Sequence, residues 1–222
     1  MTYLAFDIDG TLFNSEGIVV EAFQIGILKY IEQSNININV PAKDKIISLI
    51  GLPMDLIFHK LFPQLNAAER KNVINHCTTS LAAIINNGGG KLYDHVFSTI
   101  EKLHKDHYKI FIASNGKKDY IEAILNSNNL IKFIEKPIIY LNKEIQDKAD
   151  IVRHYKKRIK EDNLLIMIGD RESDREAAQN NNIPFIGCAY GHVGDKEIKG
   201  TRWITSNFKN IPNIIKEIEQ NC

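Results

Sequence analysis

Two aspartates one residue apart, in the run Ala5-Phe6-Asp7-Ile8-Asp9-Gly10-Thr11-Leu12, carry the first chemistry in the chain. Tyr3 to Phe6 is short and mostly apolar, as in a buried strand, and Gly10-Thr11 is turn chemistry that stops it. Side chains alternate along a strand, so Asp7 and Asp9 are expected to leave on the same side. Neighbouring carboxylates repel and are costly to desolvate; a strand end carrying them holds a cation or shares a proton. Taken alone, Asp-x-Asp-Gly reads as readily as an Asp-rich turn after an ordinary strand.

Three later groups bear on that choice. Ser114-Asn115-Gly116 follows the apolar run Lys109 to Ala113, Lys148 follows the run Pro137 to Leu141, and Gly169-Asp170-Arg171-Glu172-Ser173-Asp174 follows Leu164 to Ile168. Singly these are a helix N-cap, a solvated lysine and a turn. Jointly they compose one site: carboxylates for a cation, a hydroxyl and backbone amides at a helix start for phosphate oxygens, and a lysine for the remaining positive charge. That set describes Mg²⁺-dependent phosphoryl transfer.

The elements that must position these groups divide into two kinds. From Asn14 to Asn87 apolar residues recur at helical spacing only: Val19, Phe23, Ile27, Tyr30 and Ile31, closed by the polar stretch from Gln33 through Asn35 to Pro41; then a short helix over Lys43 to Ile50; then Met54, Ile57, Phe58 and Leu61; then Ile74, Cys77, Leu81, Ile84 and Ile85. Glycines 88, 89 and 90 stop the last of these. Beyond them strands and helices alternate: a helix through Val96, Ile100 and Leu103, a strand at 109–113, a helix over Asp119 to Leu125, a strand at Pro137 to Leu141, a helix over Asp147 to Arg158, a strand at 164–168, a helix over Glu172 to Asn181, a strand at Pro184 to Ala189 and a closing helix through Ile211, Ile214, Ile215 and Ile218. The expected fold is therefore α/β: a Rossmann-like, mainly parallel sheet with helices on both faces, residues 1–13 and 88–222, and a small all-helical domain, 14–87, inserted after the first strand. Ligands of such a sheet bind beyond the carboxyl ends of the strands, where all four polar groups would meet.

The totals fit a globular enzyme. The chain has 222 residues, 44% of them hydrophobic and 25% charged, and a formal net charge of +1, which argues against a nucleic-acid polymer or a membrane surface as partner. Cys77, Cys188 and Cys222 form no Cys-x-x-Cys pair, so a reducing cytoplasm is expected, and no window approaches a membrane span. His192 reads as a loop residue in the turn Tyr190 to Gly194, and the Asn clusters, Asn35 among them, as turns or helix ends.

In motif order and spacing the chain resembles the haloacid dehalogenase superfamily of hydrolases, from Tyr3 to about Gly194. The four motifs are matched by Asp7 to Leu12, Ser114-Asn115, Lys148, and Gly169-Asp170 with Asp174. Residues 14–87 are similar to the helical cap of the phosphoglycolate phosphatase-like and β-phosphoglucomutase-like subgroup, Gly51-Leu52-Pro53 resembles a recurrent cap loop, and Gly88 to Gly90 and the segment near Asn14 would be its hinges. The resemblance implies Asp7 as nucleophile, Asp9 as general acid and base, Mg²⁺ held by Asp7, the Asp9 carbonyl and Asp170 with Asp174 behind them, and Ser114, Asn115 and Lys148 on the phosphoryl oxygens. Asp9 favours phosphate esters over carbon–halogen bonds. One departure stands out: many relatives have Lys-Pro at the third motif, here Lys148-Ala149, with Lys143 as a competitor. The expected activity is hydrolysis of a small phosphorylated metabolite; a sugar phosphomutase and a silent binding protein on the same framework are the alternatives. Glu16, Arg70 and Gly51-Leu52-Pro53 are left without assigned roles in selecting the substrate.

Overall fold

The computed structural model describes every residue of the chain except Asn35, Val193, Asp195 and Cys222; the turn expected at Asn35, one residue of the Tyr190–Gly194 turn and the terminal thiol lie outside the described residues. Five strands, β1 (Thr2–Phe6), β4 (Lys109–Ile112), β5 (Leu164–Gly169), β6 (Phe185–Cys188) and β7 (Trp203–Thr205), make a parallel sheet in the order β4-β1-β5-β6-β7. Strand β1 lies inside the sheet and its sequence neighbours in the sheet fall on opposite sides of it, so the chain reverses its winding direction there. That is the switch point at which open sheets bind ligands.

The strands are buried on both faces. Leu4, Phe6, Ile110, Ile112, Ile166 and Ile168 join one apolar cluster with α5 (Val96–Lys105), α6 (Lys118–Ser127) and α9 (Ile211–Asn221). Ala5, Phe111, Leu165 and Met167 point the other way, onto Ile151, Val152 and Tyr155 of α7 (Lys148–Arg158) and Ala177 and Ala178 of α8 (Glu172–Asn180). The alternation explains why these runs are apolar at every position.

Between β2 (Phe13–Asn14) and β3 (Lys91–Leu92), which pair antiparallel, stand four helices: α1 (Glu16–Ser34), α2 (Lys43–Ile47), α3 (Met54–Leu61) and α4 (Ala67–Asn86). Helix α4 starts in a capping box, with the Asn66 side chain accepting from the Glu69 amide at 3.0 Å and Glu69 accepting from the Asn66 amide at 2.8 Å. Helices α1 and α4 pack closely because position 26 is glycine: a Cβ there would fall 2.6 Å from the Cys77 Cα. The two-stranded β2–β3 ribbon is where the chain leaves and re-enters the α/β layer.

Two readings of the sequence are corrected. The run Pro137 to Leu141 is not a strand. After a single bridge between Ile110 and Ile134, the segment leaves β4, and its backbone is held by side chains instead: the Ile139 amide donates to the Tyr155 hydroxyl at 2.9 Å, and Arg158 donates to the Pro137 and Lys136 carbonyls at 3.0 Å each. The helix expected over Lys43 to Ile50 ends at Ile47, with turns carrying the chain to Gly51. The ribbon strands and β7 are too short to show a period and were not anticipated.

Candidate active site

The site grows from three parallel strand ends in register. Phe6 pairs with Ile112 on one side and Ile168 on the other, the Asp7 amide donates to the Ile168 carbonyl at 2.9 Å, and the Ala113 amide to the Phe6 carbonyl at 2.8 Å. Asp7, Ser114 and Asp170 therefore emerge side by side from β1, β4 and β5. Strand β1 ends at Phe6, so strand alternation does not govern Asp7 and Asp9. The chain turns over Ile8 to Phe13, and the two carboxylates take different partners.

Asp7, Asp170 and Asp174 are buried, and one oxygen from each lies within 4.8 Å of the others. Lys148, 2% exposed, reaches in from the first residue of α7, with its Nζ 3.1 Å from Asp7 Oδ1 and in contact with Asp174 Oδ1. Lys143, its competitor, is exposed in the loop before α7. Helix α7 is capped by Asp147, which accepts from the Asp150 amide at 2.8 Å. The Asp174 carboxylate accepts from the Arg171 amide at 2.9 Å, closing the turn that opens α8. Asp170 accepts from the Thr11 hydroxyl at 3.3 Å and from the His192 amide at 3.0 Å.

Gly10 is the residue that lets the first loop approach. Its φ is +81°, and a Cβ would lie 2.1 Å from Asp170 Oδ2, so both conformation and space demand glycine.

The electrostatics call for a cation. Burial raises the Asp7 carboxyl to about 7, against the opposing pull of Lys148, with Asp174 and Asp9 adding to the rise. Burial also lifts Asp170 well above the usual carboxylate range, reinforced by Asp174 and Asp7. Burial alone would depress the Lys148 ammonium, but Asp174 and Asp7 reverse this and hold it firmly charged. One ammonium does not balance the cluster, and Asp7 Oδ2 is buried without a hydrogen-bond partner among the described residues. All-oxygen donors of this kind suit a hard divalent cation. The residues present thus fit a divalent metal.

Asp9 stands apart from the cluster. Its Oδ1 accepts a 2.5 Å hydrogen bond from the Tyr120 hydroxyl, from α6, and burial followed by the Asp9 charge pushes the Tyr120 phenol well above its ordinary value. Ser114 and Asn115 are buried beside it; Ser114 Oγ accepts from the Gly116 amide at 3.2 Å, a local turn that precedes α6, whose N-cap is Lys117. Asn115 Nδ2 donates to the Gly51 carbonyl at 2.9 Å, leaving Asn115 Oδ1 buried and without a partner among the described residues.

The site also grips the helical insert. Arg171, next to Asp170, donates to the carbonyls of Ile50 and Ser48, and its Nε meets Glu197 Oε2 at 2.8 Å. His192 is held by Glu16 at 3.1 Å and Ser15 at 3.3 Å through its ring nitrogens. It is a loop residue, as its place in the sequence suggests, and it ties β6's exit to the start of α1. Tyr120 and the insert-binding role of Arg171 were not foreseen.

The family model for haloacid dehalogenase-like hydrolases matches residues 4–188. The chain belongs to that family. A pyrophosphatase PpaX of Listeria monocytogenes is 26% identical over 207 residues, covering 89% of this chain and 88% of its own. A phosphoglycolate phosphatase of Photorhabdus laumondii is 23% identical over 231 residues, covering 96% and 91%. The crystal structure of a predicted phosphatase from Clostridium acetobutylicum aligns over 99% of this chain and 98% of that one, with a TM-score of 0.78 at 22% identity, which supports the fold. The expected family and α/β architecture are thus borne out. Among the described residues, no helix is long and apolar enough to cross a membrane.

Proposed function

We propose that this haloacid dehalogenase-like hydrolase is a Mg²⁺-dependent phosphatase that removes phosphate from a small phosphomonoester through an aspartyl-phosphate on Asp7. The observation that carries the reading is the buried Asp7, Asp170 and Asp174 cluster at the sheet's switch point, with Lys148 against it and Asp7 Oδ2 without a hydrogen-bond partner among the described residues. Relatives named as phosphatase and pyrophosphatase support it.

Asp7, Asp170, the Asp9 carbonyl and, behind them, Asp174 would hold the ion. Its contribution is charge: it offsets the repulsion between phosphoryl oxygens and the carboxylates, so that anion can approach anion. The remaining chemistry belongs to the chain. An oxygen of Asp7 attacks phosphorus while the ester P–O bond breaks, and Asp9 gives its proton to the leaving oxygen. Asp9 then takes a proton from a water that attacks the aspartyl-phosphate, releasing phosphate and restoring Asp7. Tyr120 fixes one Asp9 oxygen, so the proton in transit rides on the other. Lys148 keeps Asp7 oriented and, with Ser114 and the Asn115 amide, meets charge on the transferring oxygens.

Residues 14–87 act as a cap, and the Arg171 and Asn115 bonds to the 48–51 loop hold it down over the site, excluding water from the intermediate. Buried, unbridged Cys77 and Cys188 fit a reducing cytoplasm as the place of work. The test is phosphate release from a panel of phosphomonoesters with and without Mg²⁺, for the native chain and Asp7→Asn. Metal-dependent turnover absent from the variant is expected; turnover that ignores metal, or survives Asp7→Asn, contradicts the proposal.

A further inference from the structure

A cavity of about 370 Å³ separates the helical insert from the strand ends. Asp9, Ser114, Asn115 and Gly116 make its floor, so it opens directly onto the group proposed to protonate the leaving oxygen. Its walls are mostly apolar, with Phe23, Leu52, Met54 and Ile57 chief among them, and Thr78, Thr79 and Tyr120 add hydroxyl groups. Lys117 is the one cationic side chain lining it among the described residues; it is exposed, as is Asp119, another lining residue. The nearby Arg171 guanidinium is already engaged with the Ile50 and Ser48 carbonyls and Glu197.

We infer that the substrate's organic part is an apolar alkyl or aryl group seated in this cavity, which makes the preferred substrate an apolar phosphomonoester and not an inorganic or carboxylated one. The inference rests on the phosphatase reading above. With the transferring phosphoryl group at Asp7, whatever leaves must sit beyond Asp9. A second phosphate, as in pyrophosphate, or a carboxylate, as in phosphoglycolate, would be desolvated there against Asp9 and hydrocarbon, with no buried cation lining the cavity among the described residues to receive it. An apolar group meets no such cost. The volume lies within the range of about 300–1,000 Å³ usual for small-ligand pockets, well beyond the needs of a phosphate alone. The reaction closes in the same terms. The ester P–O bond breaks, the leaving oxygen takes the Asp9 proton and departs as a neutral alcohol or phenol, and the oxygen of the attacking water ends in inorganic phosphate. No charge is left in the apolar compartment.

The experiment measures kcat/KM of the Mg²⁺-loaded native protein for straight-chain alkyl phosphates from methyl to hexyl, whose leaving groups differ little in basicity. Pyrophosphate, phosphoglycolate and the activated ester p-nitrophenyl phosphate are run beside them. Burial of a methylene is worth about 0.8 kcal/mol, so each added carbon should raise kcat/KM about fourfold until the cavity fills. Pyrophosphate and phosphoglycolate should fall below the longer esters, and Met54→Lys should flatten the chain-length slope. A flat series with either anionic substrate preferred overturns this inference while leaving the phosphatase reading standing. No turnover of any compound, p-nitrophenyl phosphate included, overturns that reading and the inference with it.

Discussion

Replacing Lys148 with methionine keeps most of the side chain's volume while removing its charge, and it probes the electrostatics of the site without touching the nucleophile. At an effective dielectric of about 20, an ammonium 3.1 Å from a carboxylate interacts by about 5 kcal/mol, before the desolvation that the lysine no longer suffers is credited back. Lys148 serves two buried carboxylates, Asp7 and Asp174, and stripping the counter-charge from such a group costs about 3–5 kcal/mol. For a chain of this size each kcal/mol moves Tm by about 2–4 °C, so the metal-free variant should melt roughly 6–20 °C below the native protein.

The loss should depend on pH and metal in a defined direction. Asp7 titrates at about 7 in the metal-free fold, above its unfolded value of 3.8. Between those values the native state binds more protons than the unfolded one, so stability falls as pH rises through that window. Without Lys148 the folded value moves higher still. The variant's deficit should therefore open as pH rises through about 7, where Asp7 ionises beside Lys148 in the native fold but not in the variant, and shrink when Mg²⁺ is added. Thermal melts in chelator and in Mg²⁺ on both sides of that value provide the assay. Combining Lys148→Met with Asp7→Asn should recover about 1–3 kcal/mol of the single variant's loss. A melting temperature within about 2 °C of native, or a deficit indifferent to both pH and metal, would refute the argument.

Asp9→Asn should lower kcat by about 10²–10⁴ on alkyl esters and much less on p-nitrophenyl phosphate, whose leaving group needs no acid; equal losses in steady-state assays would deny Asp9 that role. Arg171→Ala should cut kcat/KM about tenfold or more and speed amide exchange in the 48–51 loop, because the guanidinium's bonds to the Ile50 and Ser48 carbonyls are lost; unchanged exchange by mass spectrometry would sever Arg171 from cap closure. Gly10→Ala forces a left-handed backbone and a contact 2.1 Å from Asp170, so it should destabilise by about 1–3 kcal/mol and weaken Mg²⁺ binding by calorimetry. Native metal affinity in that variant would contradict the close approach.

Strand β1, strand β5 and the carboxylates after them were readable because strands buried on both faces are apolar at every position and stop abruptly where polar chemistry begins. The helical insert was equally legible from its period. The Pro137 to Leu141 run misled because a short apolar stretch has the same composition whether it pairs with a neighbour or is held by Tyr155 and Arg158. Lys148 was legible all the same, from its place in the motif order, and the structure adds a physical mark: a lysine in a helix's first turn opposes the helix dipole and needs carboxylates to justify it. Tyr120 and Arg171 could not be read at all, since their partners Asp9 and Ile50 lie 111 and 121 residues away and only the fold brings them together.

The mechanism requires Asp7 to carry the phosphoryl group in transit. Acid quench of the Mg²⁺-loaded native protein during turnover, followed by peptide mass spectrometry, tests it most directly. An acid-trapped phosphoryl group is expected on the peptide containing Asp7, present only while substrate remains and absent from Asp7→Asn. Turnover with no phosphoryl adduct, or an adduct on another residue, would contradict it.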